Sequence, residues 1–287
     1  MFRQMTYLPA ILWVLLSTAL WTLIFAAAKL ADGAVGTLQL TLLRYVGGLL
    51  TVIWLVRGDG GFAAHRSRQP LTHFLRAVCG GGAAVAITWG SAHMPLANAT
   101  AIGMTYGVLL ILLGVVFLGE RPGRAHLWAV ALSLVGVTVV LLGRGAFHQA
   151  LPLWPALAAF AGALLLAVEG LLIRLLGLRE RPVTVMLYVS FFGLCLIALP
   201  AWLTWQKISL SVALVCIGLG PVAVFAQYCT IRGYRAAPLS VVGPVDYSWL
   251  LFAALLGFVA FGERPDAATL AGCALIIAGG VLLARAR

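Results

Sequence analysis

A chain of 287 residues that is 63% hydrophobic and 9% charged, with a mean hydropathy of +1.06, has too few polar side chains to cover a core in water. Soluble domains carry about 25% charged residues, so the solvent of this chain is largely lipid and it reads as an integral membrane protein. The net charge of +11 does not indicate nucleic acid, because the basic residues form no patch or arginine-rich arm and sit at the ends of apolar runs, where they set topology.

Apolar runs of roughly 18–24 residues, each long enough to cross about 30 Å of hydrocarbon at 1.5 Å per residue, fall at about 8–29, 37–56, 71–92, 96–118, 126–143, 152–175, 184–205, 209–231, 240–261 and 268–284. The pattern predicts an all-α membrane protein of ten transmembrane helices. The first run follows Arg3 and passes Ala26-Ala27-Ala28, which resembles a signal peptide, yet it is long enough to span and has a later partner helix. In the third helix Gly80, Gly81 and Gly82 predict an interruption, and Gly218-Leu219-Gly220-Pro221 predicts one in the eighth, since proline cannot donate and frees a carbonyl. Paired weak points in corresponding helices make Gly80, Gly81, Gly82, Gly220 and Pro221 hinge candidates. The five cysteines lie singly in apolar segments, and the five histidines fall at helix ends or loops. Without metal spacing, a catalytic constellation or a phosphate loop, no enzyme activity, metal or cofactor is expected.

The stretch Gly119-Glu120-Arg121-Pro122 returns as Gly262-Glu263-Arg264-Pro265, 143 residues on. Residues 94–144 slide onto 237–287 without a gap, matching also Pro95 with Pro238, Leu96 with Leu239, Gly114 with Gly257, Ala131 with Ala274 and Gly136 with Gly279. Such spacing argues for duplication, with five helices in each of two halves, 1–144 and 145–287. An odd number of helices inverts the second half relative to the first. Inverted repeats recur in secondary transporters, whose site lies near the midplane between the halves; channels and membrane enzymes can share them. With the N-terminus in the cytoplasm, fourteen of the nineteen lysines and arginines lie on that side, among them Arg76, Arg174 and Arg232, and four on the other. Both termini are therefore expected to be cytoplasmic, in a bacterial inner membrane.

The segments MPLANATAIGMTYGVLLILLGVVFLGERPG and APLSVVGPVDYSWLLFAALLGFVAFGERPDAATLAGCALIIAGG resemble the two EamA domains of the drug/metabolite transporter superfamily, and the resemblance covers essentially the whole chain. Many members carry a proline about twelve residues before the motif glycine; here those positions are Gly107 and Leu250, with Pro244 earlier in the ninth helix. The resemblance implies secondary transport of small organic metabolites. It also implies a central cavity lined mainly by helices 1, 3, 4, 6, 8 and 9, with 5 and 10 peripheral.

Glu120 and Glu263 read as turn residues capping the helix that follows, with a gating ion pair as the alternative. Arg44, Glu169 and Asp246 fall inside predicted helices, where an isolated charge costs at least about 2.5–3.5 kcal/mol, so each faces a cavity or a partner. In one cavity, either carboxylate would be a proton carrier or a ligand for a substrate ammonium. Pairing of Glu169 with Arg174 on its own helix is the structural alternative. Asp246 is the stronger candidate, because its copy in the first half is Gly103. Trp13, Ser17 and Trp21 recur at four-residue spacing on helix 1, and Trp89, Tyr106 and Trp249 fall on other cavity helices. Packing or an interfacial belt explains any single aromatic; together they suit a flat, amphipathic ligand. Gln227 stands nearly two turns beyond Pro221, placed for a substrate carboxylate or a neighbouring helix. The expected partners are the bilayer and a small molecule, with export of amino acids, aromatic ones included, as the leading function. Uptake of S-adenosylmethionine or riboflavin and an uncoupled channel are the alternatives.

Overall fold

A computed structural model describes residues 7–30, 34–143, 145–148, 152–262 and 265–285. In chain order the helices are α1 (Leu8–Leu30), α2 (Thr37–Gly58), α3 (Gly61–Ala64), α4 (Pro70–Ala92), α5 (Leu96–Gly103), α6 (Tyr106–Leu118) and α7 (Arg124–Gly143). They continue as α8 (Leu153–Arg179), α9 (Pro182–Leu203), α10 (Leu210–Ala236), α11 (Leu239–Asp246), α12 (Trp249–Phe261) and α13 (Ala267–Arg285). Among the described residues ten spans are long and apolar enough to cross a membrane, α5 with α6 forming the fourth and α11 with α12 the ninth. Indoles at span ends point away from the bundle, with Trp54, Trp154 and Trp202 each more than 70% exposed, as interfacial anchors do.

The motif glycines do the same work at both ends of the repeat. Gly119 (φ 63°) and Gly262 (φ 67°) stop α6 and α12 in the left-handed region that a side chain disfavours. Glu263 and Arg264 lie outside the described residues.

The helix pairing is what exchange of the two halves requires. The third span packs on the sixth (α4 on α8) and the eighth on the first (α10 on α1), while α7 pairs with its own counterpart α13 and α2 with α9. Close approach rests on small residues, as between helices in lipid. Gly90 of α4 faces the Pro155 carbonyl and Ala159 of α8. Gly233, 143 residues on, faces the Ala10 carbonyl and Val14 of α1. A Cβ at Gly90 would press on the Pro155 carbonyl at 3.0 Å, and one at Gly233 would meet the Val14 side chain at 2.5 Å.

The expected interruptions of the third and eighth spans are absent, since α4 and α10 run unbroken through Gly80–Gly82 and Gly218–Pro221. Packing explains the eighth span. Pro221 frees the Ile217 carbonyl, and Gly47 of α2 lies directly against that oxygen while Gly220 packs on the backbone of Gly47 and Gly48. The liberated group is thus enclosed by protein rather than lipid.

The breaks occur instead in the fourth and ninth spans, at equivalent places: Met104–Thr105 and Tyr247–Ser248. Thr105 N donates to the Ile102 carbonyl (3.0 Å), three residues back, and its hydroxyl donates to the same oxygen (2.6 Å). The side chain so competes for a helix acceptor and tightens the turn. In the second half Ser248 N bonds the Val245 carbonyl (2.9 Å) and Leu250 N the Tyr247 carbonyl (3.1 Å).

Candidate functional site

Interior polar groups gather where α4, α8, α10 and α11 meet. Arg76, on the second turn of α4, is completely buried, and its Nε lies 3.7 Å from Glu169 Oε1 of α8. Glu169 rests against Gly80, one turn beyond Arg76, where any Cβ would come within 2.9 Å of its carboxylate. Tyr234, near the end of α10, donates from its hydroxyl to Asp246 Oδ2 (2.6 Å) at the end of α11. The same hydroxyl interacts electrostatically with Glu169 and Arg76. Tyr106, at the start of α6, interacts electrostatically with Asp246 as well. One cation, two carboxylates and two phenols thus share the junction of the halves.

Above the cluster the tightened turns meet. The Tyr247 hydroxyl donates to the Met104 carbonyl (3.0 Å), and Ser248 pairs with Thr18 of α1 (2.9 Å). The Tyr247 ring occupies the space beside Gly107 that a side chain there would fill. Glycine at position 107 therefore admits an aromatic ring from the other half.

Beneath the cluster, Glu120 accepts from the backbone of Leu239 (3.0 Å) and Ser240 (3.4 Å). The expectation that it caps its own following helix is corrected. It caps α11, in the other half, where free N–H groups and the helix dipole favour a carboxylate. Arg174 Nε stands 3.7 Å from Glu120, and its Nη1 donates to the Tyr234 (2.5 Å) and Arg235 (3.1 Å) carbonyls that end α10. This arginine accordingly partners Glu120, and the expected Glu169–Arg174 pair is replaced by Glu169–Arg76.

The other anticipated residues are distributed along α1, α2, α4, α10 and α12. Ser17 pairs with Thr230 (2.6 Å). Trp13 meets Tyr228 edge-on, with the Arg232 guanidinium over both rings at 5.5 and 5.8 Å. Arg44 sits over Trp21 at 5.4 Å and over Tyr45 at 5.2 Å, so its partner is an aromatic face. Trp89 is 45% exposed and packs on His93, away from the cluster. Trp249 is half-buried against the Tyr247 side, and Gln227 keeps a buried Nε2 without a hydrogen bond among the described residues. Hence Tyr106, Glu169 and Asp246 converge, whereas Trp13, Trp21 and Trp89 belong to separate clusters. The helix-end reading of Arg76 is corrected too; it stands within α4, and its place inside the apolar run was the available signal. Tyr234 had none, being one tyrosine among several.

A groove lined by Leu49, Ile53, Phe62, Leu187, Tyr188 and Phe191 is wholly apolar and separate from these groups. Among the described residues no cluster of three or more metal-ligating side chains occurs.

Comparison with known proteins gives the chain its family. The model of the EamA-like transporter family matches residues 8–142 and again 153–285. The chain is 25% identical over 281 residues to the pseudopaline exporter CntI of Pseudomonas aeruginosa (strain UCBPP-PA14), covering 96% of each. It is 28% identical over 280 residues to a probable terminal-alkyne amino-acid exporter of Streptantibioticus cattleyicolor, covering 95% of this chain and 93% of that one. A riboflavin transporter of Rhizobium johnstonii is 30% identical over 235 residues, 78% of this chain and 74% of the relative. With both halves matched, and relatives that are transporters rather than enzymes, this multi-pass membrane protein belongs to the EamA-like transporter family.

Proposed function

We propose that the protein is a secondary transporter exporting amino acids, aromatic ones included, by alternating access of halves 1–144 and 145–287. Both termini face the cytoplasm of a bacterial cell and the inner membrane is its site. The observation that carries the reading is the junction of Glu169 and Asp246 with Tyr106 and Tyr234. Interior carboxylates suit a substrate ammonium, and the phenols beside them suit an aromatic side chain. Similarity to two exporters, one of an amino acid, supports the same direction. Gly80, Gly81, Gly82, Gly220 and Pro221 remain the proposed flexing points, now within continuous helices.

Proteoliposomes loaded with a labelled amino-acid panel should show saturable exchange. Flux that stays linear in concentration identifies a channel instead. Similarity to a riboflavin transporter favours one second reading, movement of a flat heterocyclic metabolite; saturable flux of riboflavin with no amino-acid exchange would establish it.

A further inference from the structure

We propose that Arg76 anchors the carboxylate of the transported amino acid, with Glu169 holding the guanidinium between transport events; this rests on the amino-acid reading above. Arginine carries five N–H donors in a planar fork and accepts nothing. Here the side chain is 0% exposed, and Nε, Nη1 and Nη2 all lack a hydrogen-bond partner among the described residues. Glu169 offsets the charge at 3.7 Å without making a hydrogen bond. Buried donors in folded proteins are nearly always satisfied, so this fork is built for an acceptor that arrives. A carboxylate fits it, with two coplanar oxygens matching two parallel N–H groups.

The duplicated fold shows that packing does not require these charges. Gly80 and Glu169 occupy the α4–α8 interface. In the matching α1–α10 interface the residue 143 positions after Gly80 is Ala223, in one apolar cluster with Ile24 and Ala226. At the place of the ion pair the second crossing therefore carries apolar groups, its Ser17–Thr230 hydroxyl pair lying elsewhere along it, and apolar replacements of buried ion pairs are often neutral or stabilising. Tyr234, which interacts with Arg76, donates in turn to Asp246, a carboxylate for the ammonium of a substrate whose carboxylate is on Arg76. Gly80 contributes by letting Glu169 lie against the backbone of α4, where it can withdraw without repacking the helix.

L-phenylalanine and L-phenylalaninamide separate the claim from its rivals, since the amide keeps ring and ammonium but loses the anion. In wild-type proteoliposomes the acid should exchange, and the amide should compete about tenfold more weakly or worse. Arg76→Gln should remove that preference. Should Arg76→Gln misfold around an unpaired Glu169, the neutral pair Arg76→Gln/Glu169→Gln, verified by size exclusion and melting temperature, should show the same loss. Equal competition by acid and amide in the wild type overturns the inference, as does a preference that persists in the neutral pair. Failure of phenylalanine to exchange at all sinks the amino-acid reading and this inference with it, whereas exchange with an unaltered preference sinks this inference alone.

Discussion

Tyr247 donates its hydroxyl hydrogen to the carbonyl of Met104 across 3.0 Å, and the two residues are each other's counterparts, 143 positions apart. The bond joins the tightened turns of the fourth and ninth spans where the halves meet. Tyr247→Phe removes the donor from a part-buried carbonyl and should lower stability by about 1–2 kcal/mol, read as a fall in melting temperature in detergent. Gly107→Ala should be worse, because its Cβ meets the phenol ring itself; a melting temperature unchanged in both would remove this contact from the account.

Glu120 couples the turn after α6 in one half to the start of α11 in the other. Glu120→Ala exposes the Leu239 and Ser240 N–H groups and frees Arg174, at a loss of about 1–2 kcal/mol for a helix cap. In a background without native cysteines, Ser240→Cys should then react faster with a thiol reagent than it does with Glu120 present. Equal rates would mean that the cap does not hold this end closed.

Asp246→Asn keeps an acceptor for the Tyr234 hydroxyl and removes only the charge. The expected result is loss of exchange, or of its pH dependence, with expression intact. Unchanged kinetics across pH would withdraw Asp246 from the site and leave it a structural partner of two tyrosines.

Orientation is tested with the exposed residues Arg124 and Lys207. A cysteine at Arg124 should be shielded from an impermeant reagent added outside intact cells, and one at Lys207 should react. The reverse pattern inverts the assigned topology.

Span number and the repeat were legible in the sequence because both are written in one dimension, as runs of apolar residues and as a spacing. Glu169 and Asp246 were legible for a related reason: a charge inside an apolar run has few uses. The partners were not. Glu120 reaches across to Leu239 and Arg174 pairs with Glu120 rather than Glu169, and nothing local in the chain encodes which distant backbone meets a carboxylate. Helix breaks misled for a different reason. Pro221 looks disruptive in sequence, but Gly47 on a separate helix encloses the carbonyl it frees; Thr105, unremarkable by composition, redirects its own helix through a hydroxyl.

The two equivalent interfaces differ in what water would find in them. Parting α4 from α8 hydrates a guanidinium and a carboxylate, whereas parting α1 from α10 wets Ile24 and Ala223, which gain nothing from it, together with the uncharged hydroxyl pair of Ser17 and Thr230. A perfectly duplicated scaffold would open toward either end with equal ease. This one places a guanidinium and a carboxylate at one crossing and uncharged groups at the matching point of the other, so hydrating the two is an uneven exchange of solvation, with the crossing that bears Arg76 and Glu169 the easier to flood.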